Sequence, residues 1–414
     1  MQACIIAVGS EMLTPFRVDT NSLTITERLN AIGCDVRVKT VVGDSVDEIS
    51  RTFEGALAWA DLIVITGGLG PTEDDVTREA VARVLHVPLD EDPAVVERIR
   101  ARFARRGTPM PEINRRQAMV PRGATLIVNQ NGTAPGLWIE HGRTAVVLLP
   151  GPPREMTPML EAVIAERLAP RSGGGGLFRR VLKITGRAES EVDQDVQPIY
   201  GRWVSQPLSI NTTILAMLGQ IELHLTAHAD EEAAAHAALD AAVAELAATL
   251  GDAVYSVDGQ PLEVVVGDLL RSRGATIAVA ESCTGGLLAS RLTDVPGSSA
   301  YVERGAVCYS NRAKVEMLGV DPTMIETFGA VSEPVAEAMA AGIRARAGVT
   351  VGVGITGIAG PDGGTPEKPV GTVAIAVQTG DDAKVRTFRF MGGREMVKFQ
   401  ASQAALNMVR LMLR

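Results

Sequence analysis

The chain has 414 residues, 46% of them hydrophobic and 21% charged, which provides apolar material for two or three folded domains and excludes a disordered or fibrous protein. Its 40 basic residues are dispersed and outnumbered by 49 acidic ones, so the net charge of -9 does not indicate a nucleic-acid surface, although a small phosphorylated ligand needs only a few donors. Four scattered cysteines without a CxxC pair, no secretory signal pattern and no apolar run near the roughly 18 residues of a membrane span together predict a cytoplasmic protein that does not contact membranes.

The first 170 residues alternate apolar runs with amphipathic stretches. Strands are predicted at 3–8, 36–42, 62–66 and 144–149, and helices at 21–32, 46–60 and 75–85. This alternation is typical of a mostly parallel sheet that is covered on both faces. In such folds, ligands bind at the carboxyl ends of the strands.

The segment TGGLGPTEDD at 66–75 follows one of these strands and is predicted to open a helix, with Pro71 in its first turn. Backbone N–H groups here are suited to phosphate, and the carboxylates are suited to a hydrated divalent cation or to general-base chemistry. Alternatively, acidic residues in a first helical turn only complement the helix dipole. The candidate residues of this segment are Gly67, Gly68, Gly70, Thr72, Glu73, Asp74 and Asp75.

Other turns of the first domain add candidates. The segments NGTAPG at 131–136 and LPGPP at 149–153 are conformationally fixed turns, and two acidic residues stand near the start of the chain, where Asp19 or Thr20 could instead cap the following helix. The candidates are Glu11, Asp19, Asn131, Gly132, Thr133 and Gly151.

The SGGGG run at 172–176 is predicted to be a linker, because it offers no side chains to pack. We therefore predict domains at 1–172, 173–258 and 259–414.

The middle domain is predicted to have a strand at 179–185, a helix at 189–199, two strands around 215–228 and a helix at 231–250. The last domain returns to alternation, with strands at 276–280, 306–309, 349–355 and 372–377 and a closing helix from about Glu395. The predicted fold class is α/β, with two three-layer domains joined by a small α+β domain.

The stretch VAESCTGGLL at 279–288 places Ser282, Cys283 and Thr284 on a turn between a predicted strand and a helix. Gly285 and Gly286 allow close backbone approach, and the N–H groups of the helix start could hold an anion or a developing oxyanion. The alternative is an ordinary helix cap.

All five histidines precede the last domain, so a base for either nucleophile must be Lys, Tyr or a carboxylate. The segment VCYSNRAK at 307–314 offers Tyr309 at a strand end and Lys314 in the first turn of a helix that Ser310 or Asn311 caps. A cation at a helix N-terminus opposes the dipole, which predicts a lowered lysine pKa and suits a general base. A solvated lysine is the alternative.

Two more turns of the last domain fit a phosphate-bearing substrate. GITGIAGPDGG at 354–364 follows a strand and could cradle a ligand with Thr356, Gly357 and Gly360, and GGRE at 392–395 places Arg394 at the entrance of the last helix. Gly-rich turns are common, so neither segment is specific alone, but together with the serine turn they form a stronger set.

Along nearly its whole length the chain resembles the CinA family of competence/damage-inducible proteins. The segments GGLGPTEDD, NRRQAMVP, NGTAPG and LPGPPREM are similar to its molybdopterin-binding-like domain, and AESCTGGLL, YSNRAK, GITGIAGPDGGTPEKPVGTV and GGRE resemble its nicotinamide mononucleotide amidohydrolase domain. One departure is the GSEMLTPFR segment at 9–17, where the family usually has a GDELLxG loop. The resemblance implies a KH-like middle domain and a homodimer.

The resemblance also implies two activities in pyridine nucleotide salvage. The last domain would deamidate nicotinamide mononucleotide without a cofactor, with Ser282 as nucleophile, Lys314 as base, Tyr309 and Thr356 activating or positioning, and Arg394 on the phosphate. The first domain would hydrolyse ADP-ribose with a divalent metal (Mg, Mn or Co) and potassium. Its metal ligands would be Glu11, Asp19, Asp74 and Asp75.

Two readings without catalysis compete with this prediction. One is a competence- or recombination-associated scaffold, but no GxxG loop with basic flanks is evident between 177 and 258, so we do not expect a nucleic-acid partner. The other takes the first domain as a binder of molybdopterin rather than as a hydrolase.

Overall fold

A computed structural model describes residues 1–172, 175–380 and 382–414. They divide into two compact units, 1–178 with 227–237 and 179–226 with 238–414. Of the linker predicted at 172–176, Gly173 and Gly174 lie outside the described residues, whereas Gly176 already begins a strand.

The first unit alternates strands and helices as the sequence predicts. Its strands and helices are β1 (Gln2–Val8), α1 (Asn21–Asn30), β2 (Asp35–Val42), α2 (Val46–Leu57), β3 (Leu62–Thr66), α3 (Thr77–Val84), β4 (Leu89–Glu91), α4 (Pro93–Ala104), β5 (Met119–Pro121), β6 (Thr125–Ile127), β7 (Gly136–His141), β8 (Thr144–Leu149) and α5 (Pro153–Val163).

The main sheet of this unit has the order β2-β1-β3-β8-β7-β6, and the strands β2, β1, β3 and β8 run parallel. Alternate side chains of β3 enter different cores, Ile63 and Ile65 on one face and Leu62 and Val64 on the other. Because both faces are buried, the strand reads as a continuous apolar run. The parallel strands bring their carboxyl ends to one edge of the sheet, where the loops carrying the candidate residues begin.

One local prediction for this unit is wrong. Helix α3 begins at Thr77, so Pro71 lies in the preceding loop and not in a first helical turn. The long loop from Gly67 to Val76, rather than the end of a helix, therefore presents the candidate groups of this segment.

A small α+β region follows in the chain; its residues 176–178 and 227–237 belong to the first unit and the others to the second. It contains β9 (Gly176–Ile184), α6 (Glu189–Tyr200), β10 (Ile210–Met217), β11 (Gln220–Ala229), α7 (Glu232–Leu250) and β12 (Val254–Ser256), with strand order β10-β11-β9-β12. By length and composition alone, Glu232–Ala253 could cross a membrane, which is weak evidence because helices in protein cores pass the same test. Its Leu239 and Leu246 are fully buried in the described fold.

The rest of the second unit is again α/β. Its helices and strands are α8 (Leu262–Ser272), β13 (Ile277–Glu281), α9 (Leu287–Thr293), β14 (Val302–Val307), α10 (Asn311–Leu318), α11 (Pro322–Phe328), α12 (Glu333–Ala347), β15 (Val351–Gly357), β16 (Thr372–Thr379), β17 (Asp382–Arg389) and α13 (Arg394–Met412).

The sheet of this region has the order β14-β13-β15-β16-β17, with β14, β13 and β15 parallel and β16 and β17 antiparallel. Strand β13 is buried on both faces, with Ile277 and Val279 in one core and Ala278 and Ala280 in the other. The strand predicted at 306–309 is displaced, since β14 ends at Val307. The mixed α/β architecture confirms the predicted fold class.

Candidate active sites

The serine turn joins the carboxyl end of β13 to α9. Gly285 and Gly286 have φ values of 65° and 96°, a left-handed conformation that favours glycine. The Ser282 N–H donates to the Ile355 carbonyl on the neighbouring strand at 2.9 Å, and Ser282 is 7% exposed. The central strands of the sheet therefore fix the hydroxyl at their carboxyl edge.

Lys314, on α10, contacts this turn. Ser310 caps α10 by accepting from the Ala313 N–H at 3.1 Å, which orients the first turn of the helix. The Lys314 Nζ donates to the Ser282 Oγ at 3.0 Å and to the carbonyls of Cys308 at 3.0 Å and Tyr309 at 3.3 Å. The side chain is only 1% exposed, so the predicted alternative of a solvated lysine is wrong.

The pKa of Lys314 is lowered, in the direction that the sequence predicts, but the main cause is different. Burial disfavours the charged ammonium, and this desolvation is the largest contribution to the lowered pKa. Among the described residues, the partners of the Lys314 Nζ are one hydroxyl and two carbonyls, with no carboxylate. Such a group can exchange a proton with Ser282.

Cys283, the neighbour of Ser282, is placed differently. It is 5% exposed, and burial raises the pKa of its thiol to about 12. A thiol with so high a pKa carries almost no thiolate at neutral pH, and the thiolate is the nucleophilic form. Its sulfur lies against Gly357, where an added Cβ would stand 2.9 Å from the sulfur.

Glu281 was not predicted to belong to the site, yet it organises the turn. Its carboxylate is 1% exposed and accepts from the N–H groups of Gly286 at 3.0 Å, Leu288 at 3.1 Å and Ala289 at 2.8 Å. The start of α9 therefore binds an anion that the chain itself supplies. The prediction that these N–H groups hold a substrate anion or an oxyanion is wrong.

Two other backbone N–H groups of the turn are still available to a ligand. In the part of the chain that the structure describes, the N–H groups of Cys283 and Thr284 have no backbone acceptor. The Thr284 hydroxyl is buried and has no partner among the described residues. These donors follow Ser282 directly, which is where an oxyanion formed by attack of its hydroxyl needs them.

Arg394, Tyr309 and Gly360 form a second cluster. Arg394 begins α13, as predicted, and donates to the Gly360 carbonyl at 2.8 Å and to the Tyr309 hydroxyl at 3.0 Å. Tyr309 is 59% exposed. The buried Thr356 hydroxyl donates to the Ala330 carbonyl at 2.8 Å. Within the described chain, neither hydroxyl is bonded to Ser282, so their predicted activating roles stay predictions.

A cavity of about 420 Å³ lies at the carboxyl edge of the first sheet. It contains several of the predicted residues together with three polar residues that the sequence analysis missed. The predicted ones are Glu11, Gly67, Gly68, Gly70, Asp74, Asp75, Thr133 and Gly151, and the additional ones are Asp44, Gln117 and Glu155. Asn131, Gly132, Asp19 and Thr72 do not line it.

Two side chains of α3 bind the backbone of the glycine loop beside this cavity. Gly67 and Gly68 have φ values of 100° and 64°, and the Thr77 hydroxyl donates to the Gly67 carbonyl at 2.9 Å. Arg78 is 1% exposed and donates to the carbonyls of Leu69 at 2.7 Å and Gly70 at 2.9 Å. No sequence pattern indicated this role, because Arg78 stands within an ordinary amphipathic helix pattern.

Two of the predicted metal ligands are engaged in local structure. Asp75 accepts from the N–H groups of Gly70 at 2.7 Å and Thr72 at 2.9 Å, and Asp19 accepts from the Ser22 N–H at 3.0 Å near the start of α1. The described residues contain no group of three or more side chains placed to hold a metal. Glu11 and Asp74 line the cavity.

The NGTAPG loop depends on Asn129, which the sequence analysis also missed. Its side-chain oxygen accepts from the N–H groups of Asn131 at 3.0 Å and Gly132 at 2.7 Å, and its amide donates to Glu155 at 2.8 Å. Asn129 and Glu155 thus tie this loop to α5, beside the cavity.

Comparison with known proteins gives matches along the whole chain. Three family models match, described as probable molybdopterin binding domain (residues 4–170), damage-inducible protein CinA KH domain (179–256) and CinA C-terminal domain (259–413). CinA-like proteins of Koribacter versatilis and Acidobacterium capsulatum are 48% and 45% identical to it, each over 99% of both chains. The solved competence/damage inducible protein CihA of Agrobacterium tumefaciens is 41% identical, covers 37% of this chain and 93% of its own, and has a TM-score of 0.36.

Proposed function

Because this chain belongs to the CinA family, we propose that its C-terminal domain hydrolyses the carboxamide of nicotinamide mononucleotide to nicotinate mononucleotide and ammonia. The observation that carries this proposal is the 3.0 Å hydrogen bond between the buried Lys314 Nζ and the Ser282 Oγ. A hydroxyl needs a base to attack a carboxamide, and the last domain contains no histidine.

The reaction follows from the groups around the turn. Ser282 Oγ bonds to the carboxamide carbon while its proton passes to neutral Lys314, and the N–H groups of Cys283 and Thr284 donate to the oxyanion. The carbon–nitrogen bond then breaks, and ammonia leaves with the proton that Lys314 returns. Water, deprotonated by Lys314, hydrolyses the acyl ester and restores Ser282. Arg394 binds the phosphate of the substrate.

The first experiment measures ammonia release from nicotinamide mononucleotide by the full chain and by two neighbouring variants. Ser282→Ala should lose at least about 1,000-fold in kcat, because it removes the bond-forming oxygen. Cys283→Ala is the matched control and should only weaken activity, because its thiol is protonated and serves packing. Loss of activity in Cys283→Ala with retention in Ser282→Ala would show that the protein is a thiol amidase. Absence of ammonia release by the wild type would contradict the proposal.

For the first domain we propose hydrolysis of ADP-ribose to AMP and ribose 5-phosphate. The supporting observation is the carboxylate-lined cavity beside the glycine loop. Glu11 and Asp74 would hold a divalent cation, and this donor set fits Mg²⁺, which is commonly bound by one or two carboxylates plus substrate phosphates. The cation would neutralise charge on the diphosphate. The backbone of the Gly67–Gly70 loop would position the diphosphate beside these carboxylates.

A binder of molybdopterin is the competing function for this cavity. Incubation of the full chain with ADP-ribose, with and without Mg²⁺, Mn²⁺ or Co²⁺, separates the two. A hydrolase releases AMP in a metal-dependent manner, whereas a binder releases none under any of these conditions.

A further inference from the structure

A cavity of about 610 Å³ lies inside the second unit, between α13 and turns of the small α+β region. The catalytic residues proposed above do not line it. A Cβ on Gly186 would stand 3.8 Å from the Asn407 Nδ2, and a Cβ on Gly219 would stand 3.4 Å from the Gln403 Cγ. Because these two turns carry no side chain, the space beside α13 stays open to a ligand.

An aromatic wall borders this cavity along the edge strand β17. The rings of Phe388 and Phe390 are stacked, with centroids 5.3 Å apart and planes 8° apart. The guanidinium of Arg386 lies over the Phe388 ring, 4.9 Å from its centroid. All three residues line the cavity, and both phenylalanines are only half-buried. Parallel flat groups at the wall of a cavity favour a ligand that is itself flat and aromatic.

A row of carboxamides on α13 forms a second wall. Gln400, Gln403 and Asn407 all line the cavity, and their spacing of three and four residues places them on one face of the helix. A carboxamide has an oxygen that accepts and an NH₂ group that donates two hydrogen bonds. Each of these side chains is bound to the protein at one end, which leaves the other end for a ligand.

The outer two carboxamides offer one acceptor and one donor group. The Gln400 Nε2 donates to the carbonyls of Met391 at 2.8 Å and Met396 at 3.1 Å. The Asn407 Oδ1 accepts from the Arg410 Nε at 2.9 Å and from its Nη2 at 2.7 Å. Within the described part of the chain, no hydrogen bond reaches the Gln400 Oε1 or the Asn407 Nδ2. Protein contacts therefore orient both groups without using the atoms that a ligand needs.

Gln403, between them, adds a second donor. It is 1% exposed, and its Oε1 accepts from Arg291 at 2.6 Å. One N–H of its Nε2 donates to the Gln220 Oε1 over 3.4 Å, and the other N–H has no acceptor among the described residues. The cavity thus combines an aromatic wall with two amide donors and one amide acceptor.

We propose that this cavity binds a nitrogen heterocycle that carries an amino or carboxamide group, as a purine or a pyridine carboxamide does. The ring lies against the wall formed by Phe388 and Phe390. Its acceptor atoms take N–H groups from Gln403 and Asn407, and its NH₂ group donates to the Gln400 Oε1, which is chemistry that carboxamides commonly use to bind such rings. The proposal does not rest on the deamidase function.

The test titrates adenosine, and separately nicotinamide, into the full-length protein by calorimetry. Ala404→Trp fills the cavity from the middle of α13, and Asn407→Asp keeps the oxygen that binds Arg410 but replaces the donor NH₂ by an acceptor. Each change should weaken binding about tenfold or more in Kd. Asn211→Asp, the same change at an exposed position of β10 outside the cavity, is the matched control and should leave Kd unchanged. Thermal melts show that the variants are folded.

The two probes distinguish a purine from a pyridine carboxamide as the source of the ligand. The analogue that lacks the NH₂ group, purine riboside or pyridine, should bind about tenfold more weakly than its parent, because the Gln400 Oε1 then has no donor. Binding of either probe that both cavity variants weaken supports the proposal. It is overturned if the wild type binds neither probe, if Asn407→Asp binds as tightly as the wild type, or if the analogue binds as tightly as its parent.

Discussion

At the scale of single residues, burial decides which group is the nucleophile and which is the base. The same desolvation that raises the pKa of the Cys283 thiol lowers the pKa of the Lys314 ammonium, because in both cases it disfavours the charged form. One dry environment therefore makes the thiol inert and the lysine able to accept a proton. Ser282 is therefore the nucleophile that this environment favours, because its hydroxyl is hydrogen-bonded to the lysine and the neighbouring thiol stays protonated.

The pH dependence of deamidation follows from the lowered pKa of Lys314. A lysine base works only when neutral, so kcat/KM should rise with pH and level off above the pKa of Lys314, with the midpoint below the ordinary lysine value of 10.5. Lys314→Arg, which keeps the charge but cannot accept the proton, should lose about 100-fold or more. The measurement is initial ammonia release between pH 6 and 10. A profile that falls with rising pH would contradict a neutral lysine base.

Residue-level prediction from the sequence was limited by partners that lie far away in the chain. The sequence suggested a lowered lysine pKa from the helix dipole, but burial, which dominates, depends on how β13, β14 and α10 pack. Glu281 stands directly before the turn in the printed sequence, yet only the fold shows that its carboxylate occupies the N–H groups assigned to a substrate. Asn129 and Arg78 carried no pattern at all, because most of their partners are backbone groups of loops, which no side-chain spacing reveals.

At the scale of elements, the short helix α9 depends on its two ends. Glu281 holds its start, and Arg291 near its end donates to Ser402 at 2.8 Å, Glu263 at 2.8 Å and Gln403 at 2.6 Å. These contacts join α9 to α8 and α13. A seven-residue helix is not stable by itself, so tertiary contacts fix the geometry of the serine turn that precedes it.

Removing Arg291 should therefore destabilise the fold. We expect Arg291→Met to lower the free energy of unfolding by about 3 kcal/mol, because it leaves Glu263 and two buried polar groups without their partner. Arg304→Ala, at an exposed ion pair with Glu303 in the same domain, is the matched control and should cost less than about 1 kcal/mol. Urea unfolding followed by circular dichroism gives both values. Equal costs for the two variants would show that the Arg291 network is not needed.

Element boundaries were predicted best where a strand is buried on both faces. The predicted limits of β3 and β8 coincide with the observed ones, since continuous apolar runs bounded by Gly, Pro or charged residues leave little choice. Strand β17 was missed, because it lies at the edge of the sheet and its exposed side chains include Lys384, Arg386 and Arg389. The start of α3 was misplaced, since the sequence could not show that Asp75 closes a loop by accepting from Gly70 and Thr72.

At the scale of the whole molecule, each of the two α/β sheets has loops at the carboxyl ends of its parallel strands. At each sheet, these loops form a candidate site. Among the described residues, the two sites share no side chain, and they belong to different compact units. Variants with effects confined to one site should therefore act independently of variants at the other.

This independence is testable on the full chain with Ser282→Ala, Glu11→Gln and the double variant. Ser282→Ala should stop ammonia release from nicotinamide mononucleotide and leave AMP release from ADP-ribose unchanged, because Ser282 contributes nothing to the first cavity. Glu11→Gln removes a carboxylate charge from that cavity and should reduce metal-dependent AMP release at least about tenfold, with ammonia release unchanged. The double variant should show both losses and no further one. A fall in AMP release in Ser282→Ala would instead show that the two sites are energetically coupled.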